Sequence, residues 1–145
     1  MLRIKMDDHE FSLMDDKLYY QGELFTGVTF SLSESGDLCH EESYKDGLSS
    51  GECKVWEEGN ELDCHWQMEK GLKHGCEIIY CNSGSFWKIE YEFGVMLKET
   101  LFNEHGDEEM CYEISVDNPV LKMIREAKGW DFDIVDWPLP RRGDS

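Results

Sequence analysis

Tyr44-Lys45-Asp46-Gly47-Leu48-Ser49-Ser50-Gly51 is answered, 24 residues further on, by Met68-Glu69-Lys70-Gly71-Leu72-Lys73-His74-Gly75. The same step recurs outside these octets. It separates Gly27, Gly51 and Gly75, then Gly36, Asn60 and Gly84, then Leu38, Leu62 and Phe86. Gly22, Gly47, Gly71 and Gly94 make a looser fourth series. Self-similarity at a period of this size marks a repeat architecture.

The position shared by Gly36, Asn60 and Gly84 shows what each repeat contains. Glycine and asparagine enter left-handed backbone space most cheaply, so their exchange signals a demand for positive φ and a tight hairpin turn. The flanking runs alternate with period two, as strands do. Leu62, Cys64, Trp66 and Met68 fall opposite Asp63, His65, Gln67 and Glu69; Trp87, Ile89, Tyr91 and Phe93 fall opposite Lys88, Glu90 and Glu92. Cys76, Ile78 and Tyr80 share a face, as do Val28, Phe30 and Leu32. Each repeat is therefore expected to be a β-hairpin. The Gly47–Gly51 and Gly71–Gly75 segments would join one hairpin to the next. The predicted fold is mainly β: an open, twisted antiparallel meander with one apolar and one polar face. Three positions in phase favour it over a β-sandwich with coincidental turn spacing.

The 145 residues are expected to form one domain. Residues 1–17 read as cap strands: Leu2–Met6, a turn at Asp7-Asp8-His9, Glu10–Met14, then a turn at Asp15-Asp16-Lys17. The hairpin repeats run over 18–115, the last of them decayed, as terminal repeats are. Asn118 and Pro119 suit the N-cap and first position of a helix over 118–129, with Val120, Leu121 and Ile124 at helical spacing and Gly129 as the stop. Arg125 and Lys128 would sit in its last turn, where cations suit the dipole. The tail over 130–145 carries Trp130, Phe132, Ile134 and Trp137 and is expected to add a strand or dock on the sheet.

Composition narrows the function. Against 14 basic residues stand 32 acidic ones, a net charge of −18 spread along the chain. It either keeps a wet sheet face soluble or complements a partner with a basic surface. Direct nucleic-acid binding and docking on anionic lipid are disfavoured by this sign. The six cysteines include no CxxC pair, and Met1-Leu2-Arg3-Ile4-Lys5 leads into acidic residues rather than a secretory leader. Reduced thiols, a cytoplasmic location and no membrane span are expected. The Cys39-His40 and Cys64-His65 dipeptides cannot chelate from one side of a strand, so no metal is expected. His74, beside Gly75, reads as turn chemistry. The acid pairs Glu41-Glu42, Glu57-Glu58 and Glu108-Glu109 share no setting that makes a catalytic dyad. Nucleophile-elbow and phosphate-loop motifs are absent. No cofactor and no enzymatic activity are expected.

Tyr44-x-x-Gly47-Leu48-x-x-Gly51, Gly59-Asn60-Glu61-Leu62 and Lys73-His74-Gly75 resemble the bacterial variant of the MORN repeat. With Leu18-Tyr19-Tyr20-x-Gly22-x-x-Phe25-Thr26-Gly27 and Tyr91-Glu92-Phe93-Gly94-Val95-Met96-Leu97-Lys98-Glu99, the chain is similar, over about residues 18–115, to the YwqK-type antitoxin family. It departs at Asn60 and in lacking a glycine near Lys98 and Glu99. The resemblance implies an open β-meander and an immunity or antitoxin role against a polymorphic toxin, often a deaminase or nuclease, with no catalytic residues. Strand parity then makes Trp56, opposite Cys53 and Val55, a candidate exposed anchor for the toxin, with Glu57, Glu58 and Glu61 as its charged rim. The competing reading packs Trp56 under the C-terminal helix. Oligomeric state is left open.

Overall fold

A computed structural model describes residues 2–57, 61–115 and 117–128. In chain order the elements are β1 (Arg3–Lys5), β2 (Phe11–Met14), β3 (Lys17–Tyr20), β4 (Glu23–Leu24), β5 (Gly27–Leu32), β6 (Leu38–Lys45) and β7 (Leu48–Trp56). There follow β8 (Leu62–Glu69), β9 (Leu72–Tyr80), β10 (Phe86–Glu92), β11 (Val95–Phe102), β12 (Glu108–Glu113) and α1 (Pro119–Lys128). The strands from β5 to β12 pair antiparallel in chain order, which is the predicted open meander. The cap differs from expectation. β1 joins the large sheet alongside β5 in parallel, while β2, β3 and β4 form a separate three-stranded sheet.

Two kinds of turn alternate along the meander. Asp46-Gly47, Lys70-Gly71 and Phe93-Gly94 have both φ angles positive, 50° and 81–83°. That is the two-residue type I′ geometry, whose twist matches that of the strands. The other ends are closed by Ser33 N–H to Asp37 O (2.7 Å), Cys81 N–H to Ser85 O (2.9 Å) and Asn103 N–H to Asp107 O (2.9 Å). Gly36, Gly84 and Gly106 supply the positive φ there, at 84–89°. Glu57 N–H to Glu61 O (2.8 Å) closes the remaining loop alike; Asn60, expected to be its left-handed residue, lies outside the described residues. The β2–β3 turn is made by Asp15-Asp16 without a glycine.

Gly51 and Gly75 are not turn residues, contrary to the sequence reading. They lie inside β7 and β9 at φ 103°, where the register against the preceding strand shifts. A Cβ on Gly75 would stand 2.2 Å from Gln67 Oε1, which accepts the Cys76 N–H at 3.1 Å. At the equivalent Gly51 the neighbour is Ser43, whose hydroxyl donates to Glu52 O at 2.8 Å. These two repeats thus each carry a bulge plugged by a polar side chain of the strand before it. Where the glycine is missing from the last repeat, the register still shifts, between Glu90 and Tyr91.

The expected division into one apolar and one polar face is corrected. Leu62, Ile78, Tyr80 and Phe86 form the main buried cluster, with Trp56 and Phe102 packed against it. A register shift pairs Val55 with Cys64 but Trp56 with Leu62, so Leu62 leaves the face of Cys64 and joins that of Trp56. His65, expected on the wet face, is buried because it stands opposite Ile78 on the side that holds this cluster. The opposite face buries Cys53 and Ile89. A second cluster, of Phe11, Tyr20, Phe25 and Tyr44, has ring centroids 4.8–6.1 Å apart. It ties the small sheet to the β6–β7 turn, where Leu18 N–H meets Gly47 O and Gly47 N–H meets Phe25 O, both at 2.8 Å.

Asn118 caps α1 as predicted: its Oδ1 accepts from Val120 N (2.9 Å) and Leu121 N (3.3 Å). Leu121 is buried, and Arg125 makes a two-pronged ion pair with the buried Glu92. Val120, expected on the apolar face, is exposed with Met123 because Leu121 alone of that turn faces the sheet. The expected helix stop at Gly129 and the expected docking of 130–145 lie outside the described residues. No described helix is long and apolar enough to cross a membrane.

The turn geometry gives the first prediction. A Cβ at Gly71 has room, with its nearest neighbour 3.7 Å away, so only backbone conformation is at stake there. Gly71→Val should cost about 1–2 kcal/mol and Gly71→Asn only a few tenths. Denaturant midpoints of the two variants against the parent check this.

Candidate partner-binding face

Because register is carried from strand to strand, one row of side chains crosses eight strands on the face opposite Ile78. It reads Thr29, Glu42, Cys53, Trp66, Glu77, Ile89, Glu99 and Tyr112 from β5 to β12. The parallel row from β6 to β12 reads His40, Val55, Cys64, Ile79, Trp87, Leu101 and Met110. Carboxylates therefore recur among aromatic and aliphatic side chains on a surface formed entirely by sheet.

The centre of the face holds a cation. Lys73 Nζ lies 2.8 Å from Glu77 Oε2, and it sits 5.1 Å from the Tyr91 ring centroid and 5.8 Å from that of Trp66. The Tyr91 hydroxyl donates to the other Glu77 oxygen at 3.0 Å. Glu77 is buried, and these two donors take the place of the water its carboxylate oxygens give up. Burial first, and then the Glu77 charge and hydrogen bond, push the Tyr91 phenol up to about 12. Three strands from Glu77, on β6, Glu42 accepts from Tyr44 and Ser49, each at 3.0 Å. Burial and the Glu42 charge raise the Tyr44 phenol well above its ordinary range. The His40 and Trp66 rings approach to 6.5 Å.

Such a face offers carboxylates and π-systems to positive groups by non-covalent attraction. It is poorly suited to thiol chemistry, since burial pushes Cys53 and Cys64 up to about 11 and keeps them protonated at neutral pH. None of the six cysteines is in a disulfide. Among the described residues no three His, Cys, Asp or Glu side chains converge as metal ligands would. His74 works at a turn: its Nδ1 accepts the Phe93 N–H at 3.1 Å, and burial lowers its pKa.

The sequence-predicted residues fall elsewhere. Trp56 is half-buried against the Leu62–Ile78–Tyr80–Phe86 cluster, so it packs rather than standing out as an anchor, and it packs there rather than under α1. Glu57 and Glu61 close the β7–β8 loop, with Glu61 exposed; Glu58 lies outside the described residues. Among the turn residues, Gly36, Gly47, Gly71 and Gly84 lie in turns, Gly51 and Gly75 lie in bulges, and Gly27 starts β5 beneath Leu2 O. Sequence reasoning missed the Trp66–Lys73–Glu77–Tyr91 group. Its signal was the Lys70-Gly71 turn taken together with Gly75: the turn pairs Met68 with Lys73, and the shift at Gly75 then sets Trp66 opposite Glu77.

In comparisons with known proteins, no family model and no curated protein matches this chain.

Two predictions follow from this chemistry. Tyr91→Phe removes a hydrogen bond to a buried carboxylate and should cost about 1–2 kcal/mol, whereas Tyr112→Phe, on an exposed side chain, should be neutral. Urea unfolding compares them. In native protein at pH 8, a thiol reagent should label exposed Cys111 quickly and Cys53 only as fast as the sheet opens, as read by peptide mass mapping.

Proposed function

We propose that this chain is an immunity protein or antitoxin. It binds a cognate bacterial toxin domain and neutralises it by covering a basic active-site surface, as on a deaminase or nuclease acting on nucleic acid. The observation that carries this reading is the Lys73 ammonium held on Glu77 between Trp66 and Tyr91. The sheet face already accommodates a cation, in a chain of net charge −18. A toxin that acts on nucleic acid needs a positive groove for its substrate, and an acidic, aromatic face complements it. The resemblance of the repeats to YwqK-type antitoxins supports the same role. On this reading the protein works in the cytoplasm, needs no cofactor, catalyses nothing, and contacts neither nucleic acid nor membrane itself.

On this reading a toxin domain should be encoded directly upstream of this gene, and that domain is the reagent for the test. Wild-type protein should bind and inhibit it, with association slowing as salt rises. Glu99→Lys should slow association and flatten the salt dependence. Trp87→Ala should shorten the life of the complex about tenfold or more while circular dichroism stays native. Binding without inhibition would instead make the protein a MORN-like scaffold. Loss of binding in Glu57→Lys/Glu61→Lys, with Trp87→Ala behaving as wild type, would move the interface to the β7–β8 loop.

A further inference from the structure

The large sheet ends on β12, and that edge differs from the opposite one. At the first edge β1 pairs with β5 and is tied across the sheet, since Arg3 bridges to Glu41 and lies over the Phe30 ring. Among the described residues no strand lies beyond β12, and all six of its residues are exposed. Met110 and Tyr112 are each 59% accessible although they continue the aromatic face through Leu101 and Glu99. A sheet edge presents a row of backbone donors and acceptors to any strand laid beside it.

The side chains of β12 state what such a strand would carry. Opposite Leu101 and Glu99, on the binding face, stand Met110 and Tyr112. Opposite Phe102, Thr100 and Lys98, on the other face, stand Glu108, Cys111 and Glu113. The edge is therefore apolar on one side and acidic on the other. Strand addition fixes alternation in the incoming segment: apolar residues against Met110 and Tyr112, basic residues against Glu108 and Glu113. A second copy of this chain is the wrong occupant, because its own Glu108, Glu109 and Glu113 would meet theirs across the joint.

We infer that β12 is a strand-addition edge that receives an extended protein segment alternating basic and apolar residues. The inference rests on the proposed function only for the claim that the toxin domain supplies this segment. The strand would extend the aromatic face by one row and bring the partner's basic groups alongside Glu113 and Glu108.

The probe is a synthetic peptide of about nine residues, the length of a full strand, alternating lysine with valine and tyrosine. Backbone amide resonances of the full chain report on it. Bound peptide should shift and protect the amides of β12 more than those of β8 or β9. N-methylation of alternate peptide nitrogens, which leaves charge and side chains intact, should weaken binding about tenfold or more. Glu108→Lys with Glu113→Lys should weaken it as much, at sites exposed enough to leave the fold unchanged. Equal affinity for the N-methylated peptide, shifts centred on Trp66 and Glu77, failure to bind, or a β12-mediated dimer in sedimentation would each overturn the assignment. Capture of the peptide at β12 upholds it even where the toxin fails to bind, and absence of capture overturns it even where the toxin is inhibited.

Discussion

The structure depends on backbone that runs left-handed at fixed intervals. The small sheet is tied to the large one at the β6–β7 turn, so along the rest of the meander register rests on turns and bulges. Asp46-Gly47, Lys70-Gly71 and Phe93-Gly94 reverse the chain in two residues, and Gly51 and Gly75 each absorb a register shift inside a strand. The bulge is as regular as the turn. At Gly75 the space a side chain would need is filled by Gln67, which bonds the backbone the bulge exposes. A glycine period in the sequence thus becomes a register period in the sheet.

Constant register makes a continuous surface possible. Glu42, Trp66, Glu77, Ile89, Glu99 and Tyr112 come from six strands and stand in one row because no slip separates them. The buried Glu77 shows how the face manages negative charge, by pairing it with Lys73 and the Tyr91 hydroxyl under two aromatic rings. A partner that brings its own cations meets carboxylates already set among π-systems. On the proposed reading, most of the remaining acids of the −18 chain would act at longer range, on the encounter rather than on the contact.

The hairpin repeats and the helix cap were legible in the sequence because each rests on local rules: left-handed glycines, alternating runs, and Asn118 before Pro119. The faces were less legible. Parity from residue 62 to 68 holds only if no residue is extra, yet the register shift between Val55 and Trp56 transfers Leu62 to the side of Trp56. That bulge moves Leu62 alone; Trp56 and His65 keep their predicted parity but stand on the side of Ile78, which holds the buried cluster. The parallel pairing of β1 with β5 was illegible for another reason. It joins segments 25 positions apart (Arg3 with Val28) across a separate small sheet, and nothing in the local pattern encodes that contact. The Lys73–Glu77 pair lay in plain view as an i, i+4 spacing, but on a strand this brings two like-facing side chains together only across the bulge at Gly75.

On the proposed reading, the partner meets the face of Trp66 and Trp87, and not the side of the sheet where Trp56 packs. Fluorine NMR of protein labelled with 5-fluorotryptophan, with and without saturating toxin domain, tests it most directly. Resonances are assigned by single Trp→Phe replacements. The Trp66 and Trp87 signals should shift on binding while that of Trp56 stays in place. A shift of Trp56 with Trp66 and Trp87 unmoved would contradict it.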